Sequence, residues 1–144
     1  LKEELVRLYS ESGEELITIT VFSFGFKFGL PLDSDLVFDV RFLPNPKYVD
    51  ELSQRTGKDP GVINYVMEPQ VTKTFLRRLM SFLKFLLPHY VGEGKSNLVM
   101  AIGCTGGQHR SVVVADYVGN AVRRMGYRTI IKHRDLDKYK GNES

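Results

Sequence analysis

Apolar and polar positions alternate in period along this chain, and the changes of period mark its elements. LKEELVRLYS spaces Leu1, Leu5 and Leu8 as one face of a short amphipathic helix, which Gly13 breaks. ELITITVFSFG is dense in β-branched and aromatic residues and predicts a strand ending at Gly25. LVFDVRF (36–42) predicts a second strand, stopped by Pro44 and Pro46. Asp39 and Arg41, two apart on that strand, are expected on one side of it, where they either pair with each other or face a site. PKYVDELSQRTG and DPGVINYVME read as short helices or turns. The strongest helix runs from Glu68 to Leu87, with Val71, Phe75, Leu79, Phe82 and Phe85/Leu86 as its apolar stripe and Pro88 as its stop. NLVMAIGC is apolar enough for a strand buried on both faces. His109 to Met125 is helical again and Gly126 ends it. YRTIIKH is a last strand.

The order is helix, two strands, helices, strand, helix, strand. Its second half is a strand–loop–helix–strand unit, which favours a right-handed parallel crossover. The expected fold is α/β: a single domain over 1–144 with a mixed sheet flanked by helices and a strand–glycine-rich loop–helix anion site.

Composition narrows the function classes without choosing among them. With 42% hydrophobic and 26% charged residues, the chain has ordinary globular proportions. No apolar run approaches the ~20 residues that span a bilayer, and no signal peptide is read at the N-terminus. A first residue of Leu1 rather than Met suits a fragment of a longer protein. Cys104 is the lone cysteine, which excludes an internal disulfide and fits a reducing, cytoplasmic compartment. With three scattered histidines it makes no zinc site, and no metal or cofactor is expected. Charge is uneven: residues 1–39 hold eight acidic and three basic side chains. Arg123, Arg124, Arg128, Lys132, Arg134, Lys138 and Lys140 gather near the C-terminus, against Asp135 and Asp137. Such an end can meet a polyanion such as RNA, or it can be a solvated face.

Two stretches suggest phosphate. GEGKS (92–96) contains the Gly-Lys-Ser of a P-loop, but His89 stands where that motif needs its first glycine. The stretch also precedes a strand instead of following one. His89 is expected on the surface. AIGCTGGQHRS (101–111) is better placed, between a buried strand and a helix. A glycine-rich turn there exposes backbone N–H groups at the positive end of the helix dipole. Gly103, Gly106 and Gly107 let a ligand approach the backbone, Thr105 and Ser111 offer hydroxyls, and Arg110 offers a fork for phosphate oxygens. The plainer reading is a glycine turn with a helix cap and a surface arginine.

Two chemistries compete for that anion. Cys104, five residues, Arg110 and Ser111 resemble the signature loop of cysteine-dependent phosphatases, where a thiolate attacks phosphorus while the arginine holds its oxygens. Gly103 departs from that pattern, which usually has a histidine there. A general acid would come from Asp33, Asp35 or Asp39.

The alternative is binding without turnover. FSFGFKFGLPLDSDLVFDVRFLPNP followed by AIGCTGGQHRS resembles the C-terminal domain of the RapZ/YvcJ family, from about Val21 to Lys140. The resemblance implies a non-catalytic domain that senses glucosamine-6-phosphate. In the whole protein it would follow an N-terminal P-loop kinase-like domain, self-associate, bind a small regulatory RNA and present it to an endoribonuclease. It carries ligand-site roles to Asp39, Arg41, Cys104, Thr105, Gly106, Gly107, His109, Arg110 and Ser111. Two positions depart: Lys47 stands where the family's RapZ member has histidine, and Gln108 where it has lysine. Both are kept as candidate ligand residues, since a lysine still meets phosphate as a point charge. Lys27 either reaches the same pocket or is a surface lysine. His109 either donates to the phosphate or caps the helix. In this reading Cys104 is a small buried residue that happens to be a thiol.

Overall fold

The computed structural model describes residues 17–138. Four strands form one sheet in the order β2-β3-β1-β4, with β1 Thr18–Gly25, β2 Leu36–Asp39, β3 Asn97–Cys104 and β4 Arg128–His133. Every pairing is parallel, so the α/β expectation holds while the sheet is uniform rather than mixed. The passage from β1 to β2 has no α-helix, only the single turn Phe26–Phe28, yet it achieves a parallel return because β2 is short. It pairs only with Met100–Gly103 of β3, so the connection retraces just part of a strand. Pairing in β2 stops at Asp39, earlier than expected. The Val40 N–H still donates to the Gly103 carbonyl at 2.9 Å, but Leu43 N–H closes a turn onto the Val40 carbonyl.

Among the described residues three α-helices complete the fold: α1 Pro60–Met67, α2 Gln70–Gly92 and α3 Arg110–Arg124. Helix α1 starts where Asp59 Oδ1 accepts from the Gly61 N–H at 2.8 Å, with Pro60 at the first helical position. Helix α2 runs through Pro88 instead of ending there. A proline one turn from the end costs only one intrahelical hydrogen bond.

The face that α2 buries also differs from the expected stripe. Leu76, Leu79, Leu83, Leu87 and Val91 enter the core, while Val71, Phe82 and Phe85 are exposed and Phe75 only packs against its margin. Both rows have helical spacing, but only the leucine row continues along the whole helix. The phenylalanine row meets His89, which is exposed as expected and lies against the Phe85 ring.

Helices and sheet share one hydrophobic core. Its strand residues, Ile19, Val21, Leu98, Met100 and Ile102, are every second position of β1 and β3 and therefore occupy one face of the sheet. Helix α3 is fixed over β1 and β4 by a polar chain as well as by valines. Ser23 Oγ donates to His133 Nδ1 (2.7 Å), His133 Nε2 donates to Asp116 (2.9 Å), and Lys58 Nζ donates to the other Asp116 oxygen (2.8 Å). Among the described residues no helix is long and apolar enough to cross a membrane. The helix expected at 1–10 lies outside the described residues, as does Lys140.

Candidate functional site

A parallel sheet delivers the chain leaving each strand to the same edge, which is where ligands collect in open α/β sheets. Four segments meet there: Phe26–Phe28 after β1, Pro46–Tyr48 after β2, the glycine-rich loop after β3, and Leu136–Lys138 after β4. Between them lies a cavity of about 300 Å³, at the small end of ligand sites.

Loop shape follows from close packing. Gly107 has φ +79°, and a Cβ there would come within 2.7 Å of the Gly25 nitrogen. A Cβ on Gly25 would lie 2.4 Å from the Gly106 carbonyl carbon. The turn after β3 therefore sits directly on the end of β1, and any side chain at either contact would push it away. Helix α3 opens from this loop, and no side chain caps its first turn. Of the two roles open to His109, helix capping by its side chain is not the one adopted.

Arg110 is 5% exposed and has no ion-pair partner among the described residues, although its charge reaches Asp39. Its Nη1 donates to the carbonyls of Arg41 (2.6 Å) and Leu43 (3.2 Å), Nη2 makes a long 3.5 Å contact to Thr105 Oγ1, and Nε has no hydrogen-bond partner. A buried guanidinium satisfied only by carbonyls, with one N–H unmet, favours an incoming anion. His109 is also buried; its Nε2 donates to the Arg55 carbonyl at 2.5 Å. Burial first, then the charges of Arg110 and Lys47, hold this imidazole below its ordinary pKa, which keeps it neutral near pH 7.

Cys104 ends β3, 2% exposed, with its Sγ donating to Ser111 Oγ at 3.1 Å. It borders the cavity together with Lys27, Lys47, Thr105, Gly106, Gln108, His109 and Arg110. Asp39, Arg41, Gly107 and Ser111 stand off that lining. Of the two alternatives for the acidic–basic pair, pairing is the one realised. Arg41 Nη2 and Nε reach the Asp39 carboxylate at 2.7 and 3.0 Å, and Arg41 lies over the Phe26 ring. This contact, ahead of a smaller opposing effect of burial, lowers the Asp39 pKa. Asp35 is engaged by Lys95 and the Val99 N–H. None of Asp33, Asp35 and Asp39 borders the cavity.

Several lining residues were not foreseen: Phe28, Asn45, Tyr48 and Ser53. Asp135, read in the sequence only as diluting a basic tail, is fully buried beside the loop. Its carboxylate accepts from the Gly25 N–H (2.7 Å), Arg134 (2.8 Å) and Lys138 (2.9 Å), and its carbonyl accepts from Gln108 Nε2 (2.9 Å). Burial raises its pKa, but these donors outweigh that and hold it below the ordinary carboxylate value. The one cue in sequence was an aspartate flanked by cations in HRDLDK.

The basic C-terminal residues are thus split. Arg134 and Lys138 serve Asp135, and Lys138 borders the cavity. Arg123 donates to the Thr129 carbonyl. Arg124, Arg128 and Lys132 are exposed, the last two on the edge strand β4. Among the described residues no group of three or more His, Cys, Asp or Glu side chains is arranged to hold a metal ion.

This geometry can be set against known proteins. A family model described as the RapZ C-terminal domain matches residues 17–137. The chain belongs to the RapZ C-terminal domain family. The match takes in the first three segments that converge on the cavity and ends within the fourth, one residue before Lys138. Proteins named "Nucleotide-binding protein" are similar at full length of this chain. The one from Syntrophomonas wolfei is 57% identical over 99% of this chain and 49% of its own length. That from Caldicellulosiruptor bescii is 54% identical over 96% of this chain and 48% of its own. That from Clostridium kluyveri is 50% identical over 96% and 48%. The chain spans about half the length of these relatives.

Proposed function

We propose that this chain is a non-catalytic sensing domain whose cavity binds a phosphorylated sugar, with glucosamine-6-phosphate the ligand implied by family resemblance. The observation that carries the reading is Arg110: buried, without an ion-pair partner among the described residues, with an unmet Nε, at the uncapped start of α3. A phosphate on the 105–107 amides would meet the helix dipole, Thr105 and Arg110 together. Lys47 would approach from the β2 side. Phe28 and Tyr48 on the lining provide apolar surface for a sugar ring. The family description and the names of the relatives fit a binding or regulatory protein.

The test is calorimetric titration of glucosamine-6-phosphate into the chain and into Thr105→Val and Lys47→Met. Both residues are exposed, so these variants should keep the fold. Saturable heat weakened in both is expected, and no heat in the unaltered chain would remove the reading.

Cysteine-dependent phosphate hydrolysis is the second reading, favoured by Cys104 and Arg110 bordering one cavity. It requires steady phosphate release that Cys104→Ser abolishes. The sensing reading extends to RNA binding and an RNase-adaptor role for a self-associating whole protein. Of the basic C-terminal residues, Arg124, Arg128 and Lys132 are exposed and would be the ones to meet RNA. RNA affinity should then fall steeply with salt, and binding that is absent or indifferent to salt removes this extension.

A further inference from the structure

Helix α2 has more positive charge than nearby groups neutralise. It holds Lys73, Arg77, Arg78 and Lys84 and no aspartate or glutamate. Lys73 and Arg77 stand one turn apart, where like charges on a helix repel. Lys73, Arg77 and Lys84 are exposed, and among the described residues none of the three has an ion-pair partner. They border a groove of about 470 Å³ that shares no residue with the lining of the sugar-phosphate cavity. Its apolar part comes from Met67 at the end of α1, Leu76 and Met80 of α2, and Tyr117 of α3, and no carboxylate lines it. Methionines suit a docking surface because they adapt to the shape laid on them. An apolar strip edged by unpaired cations fits an acidic amphipathic helix. RNA would ask instead for stacking surface and base-edge partners, which methionine and leucine do not offer.

This chain contains a segment of that chemistry. LKEELVRLYSESGEEL (1–16) has five glutamates against Lys2 and Arg7. Leu1, Leu5 and Leu8 share one helical face, and Glu4 borders it, three residues from Leu1 and four from Leu8. The segment also joins the fold at a suitable place. The Thr18 N–H donates to the Ser96 carbonyl at 2.9 Å, so the chain enters β1 beside the turn that follows α2. From Gly92 back along α2 it is about 12 Å to Lys84 and about 28 Å to Lys73. Residues 11–16 span roughly 20 Å when extended. Residues 1–10 as a helix add about 15 Å, which matches the roughly 16 Å from Lys73 to Lys84. These lengths bring Leu5 near Met80. The family match begins at residue 17, so the contact would lie between the family domain and the chain that leads into it.

We propose that the groove between α2 and α3 seats the chain's own N-terminal segment. The leucines of the segment lie on Met67, Leu76 and Met80, and its glutamates lie among Lys73, Arg77 and Lys84.

Leu5→Cys is to be paired with Met80→Cys in the full chain, or with Lys132→Cys on β4 as a control away from the groove. Each pair is treated with a short bismaleimide at low protein concentration, and mass spectrometry separates cross-links within one chain from those between chains. Cys104 is buried and common to both pairs. The Met80 pair should cross-link within the chain about tenfold faster than the Lys132 pair, as a raised effective concentration requires. Lys73→Glu, Arg77→Glu and Lys84→Glu together should remove most of that advantage. Adding Glu3→Lys, Glu4→Lys and Glu11→Lys should restore it, which separates a lost contact from a lost fold. Equal rates for the two pairs overturn the proposal, and so does an advantage that charge reversal leaves intact. Cross-links formed only between chains overturn it too and assign the groove to a second copy.

Discussion

The floor and the rim of the cavity are built on opposite terms. On and beneath the floor, Gly107, Gln108, Cys104 and Asp135 are buried and committed to protein partners, while Arg110 is buried but keeps an unmet Nε for a ligand. On the rim, Lys27, Lys47 and Tyr48 are exposed, and the two lysines have no ion-pair partner among the described residues. Floor residues hold the loop's shape, and rim residues have affinity to give. Substitutions should therefore separate stability from binding according to which set they touch.

The largest effect is expected at Asp135. Asp135→Ala leaves the buried Gly25 N–H without its acceptor and takes the shared carboxylate from Arg134 and Lys138. Arg134 and Lys138 are partly exposed and Arg134 keeps the Gly29 carbonyl, so the loss falls mainly on the buried Gly25 N–H and costs about 1–3 kcal/mol. Urea unfolding should show that loss in the midpoint with little change in slope. A variant as stable as the parent would mean that Asp135 does not anchor the C-terminal turn to the loop.

Acid should reproduce part of this effect. In the unfolded chain Asp135 titrates near the ordinary aspartate value of about 3.9, and in the folded chain it titrates lower. Its contribution is thus fully present above the ordinary value and fades as pH falls through that value towards the folded one. Asp35, Asp39 and Asp116 are shifted in the same direction and add to the slope. In Asp135→Ala the loss of stability on acidification should be shallower, measured as unfolding midpoints between pH 6 and roughly pH 3.

The rim predicts the reverse pattern. Lys47→Met should leave the unfolding midpoint unchanged, since an exposed lysine with no ion-pair partner supports little. Binding of a sugar phosphate should weaken by about tenfold, the worth of one charge-assisted contact. A stability loss with affinity intact would reverse the assignment of floor and rim.

Legibility in the sequence follows the same division. The loop, its flanking strand and helix α3 were readable because glycine placement and apolar periodicity are local signals, as in AIGCTGGQHRS followed by a valine-rich helix. Lys27, Lys47 and Arg110 were reachable as cations near that loop. The parallel setting of β2 was not, since it depends on four residues pairing with one end of β3. Nor was the choice between the leucine and phenylalanine rows of α2, both of which satisfy helical periodicity. Asp135 was the deepest miss. It lies 110 residues from the Gly25 N–H it accepts from, and its flanking cations hint at an ion pair but not at burial.

The smallest effect is expected at Asp39, where resemblance and geometry pull apart. Resemblance makes it a ligand residue, yet its carboxylate is fully engaged by the Arg41 side chain and backbone, at an exposed position off the cavity lining. Its connection to the site runs through the turn, because Arg110 holds the Arg41 carbonyl. Asp39→Ala should then shift sugar-phosphate affinity by no more than about threefold, well under the tenfold expected of a lost direct contact. If the loss reaches tenfold while Lys47→Met behaves as a rim residue, Asp39 leaves Arg41 when ligand enters. The freed guanidinium, next to the carbonyl that Arg110 grips, would then be a further cation for the same anion, and the rim would extend to the end of β2.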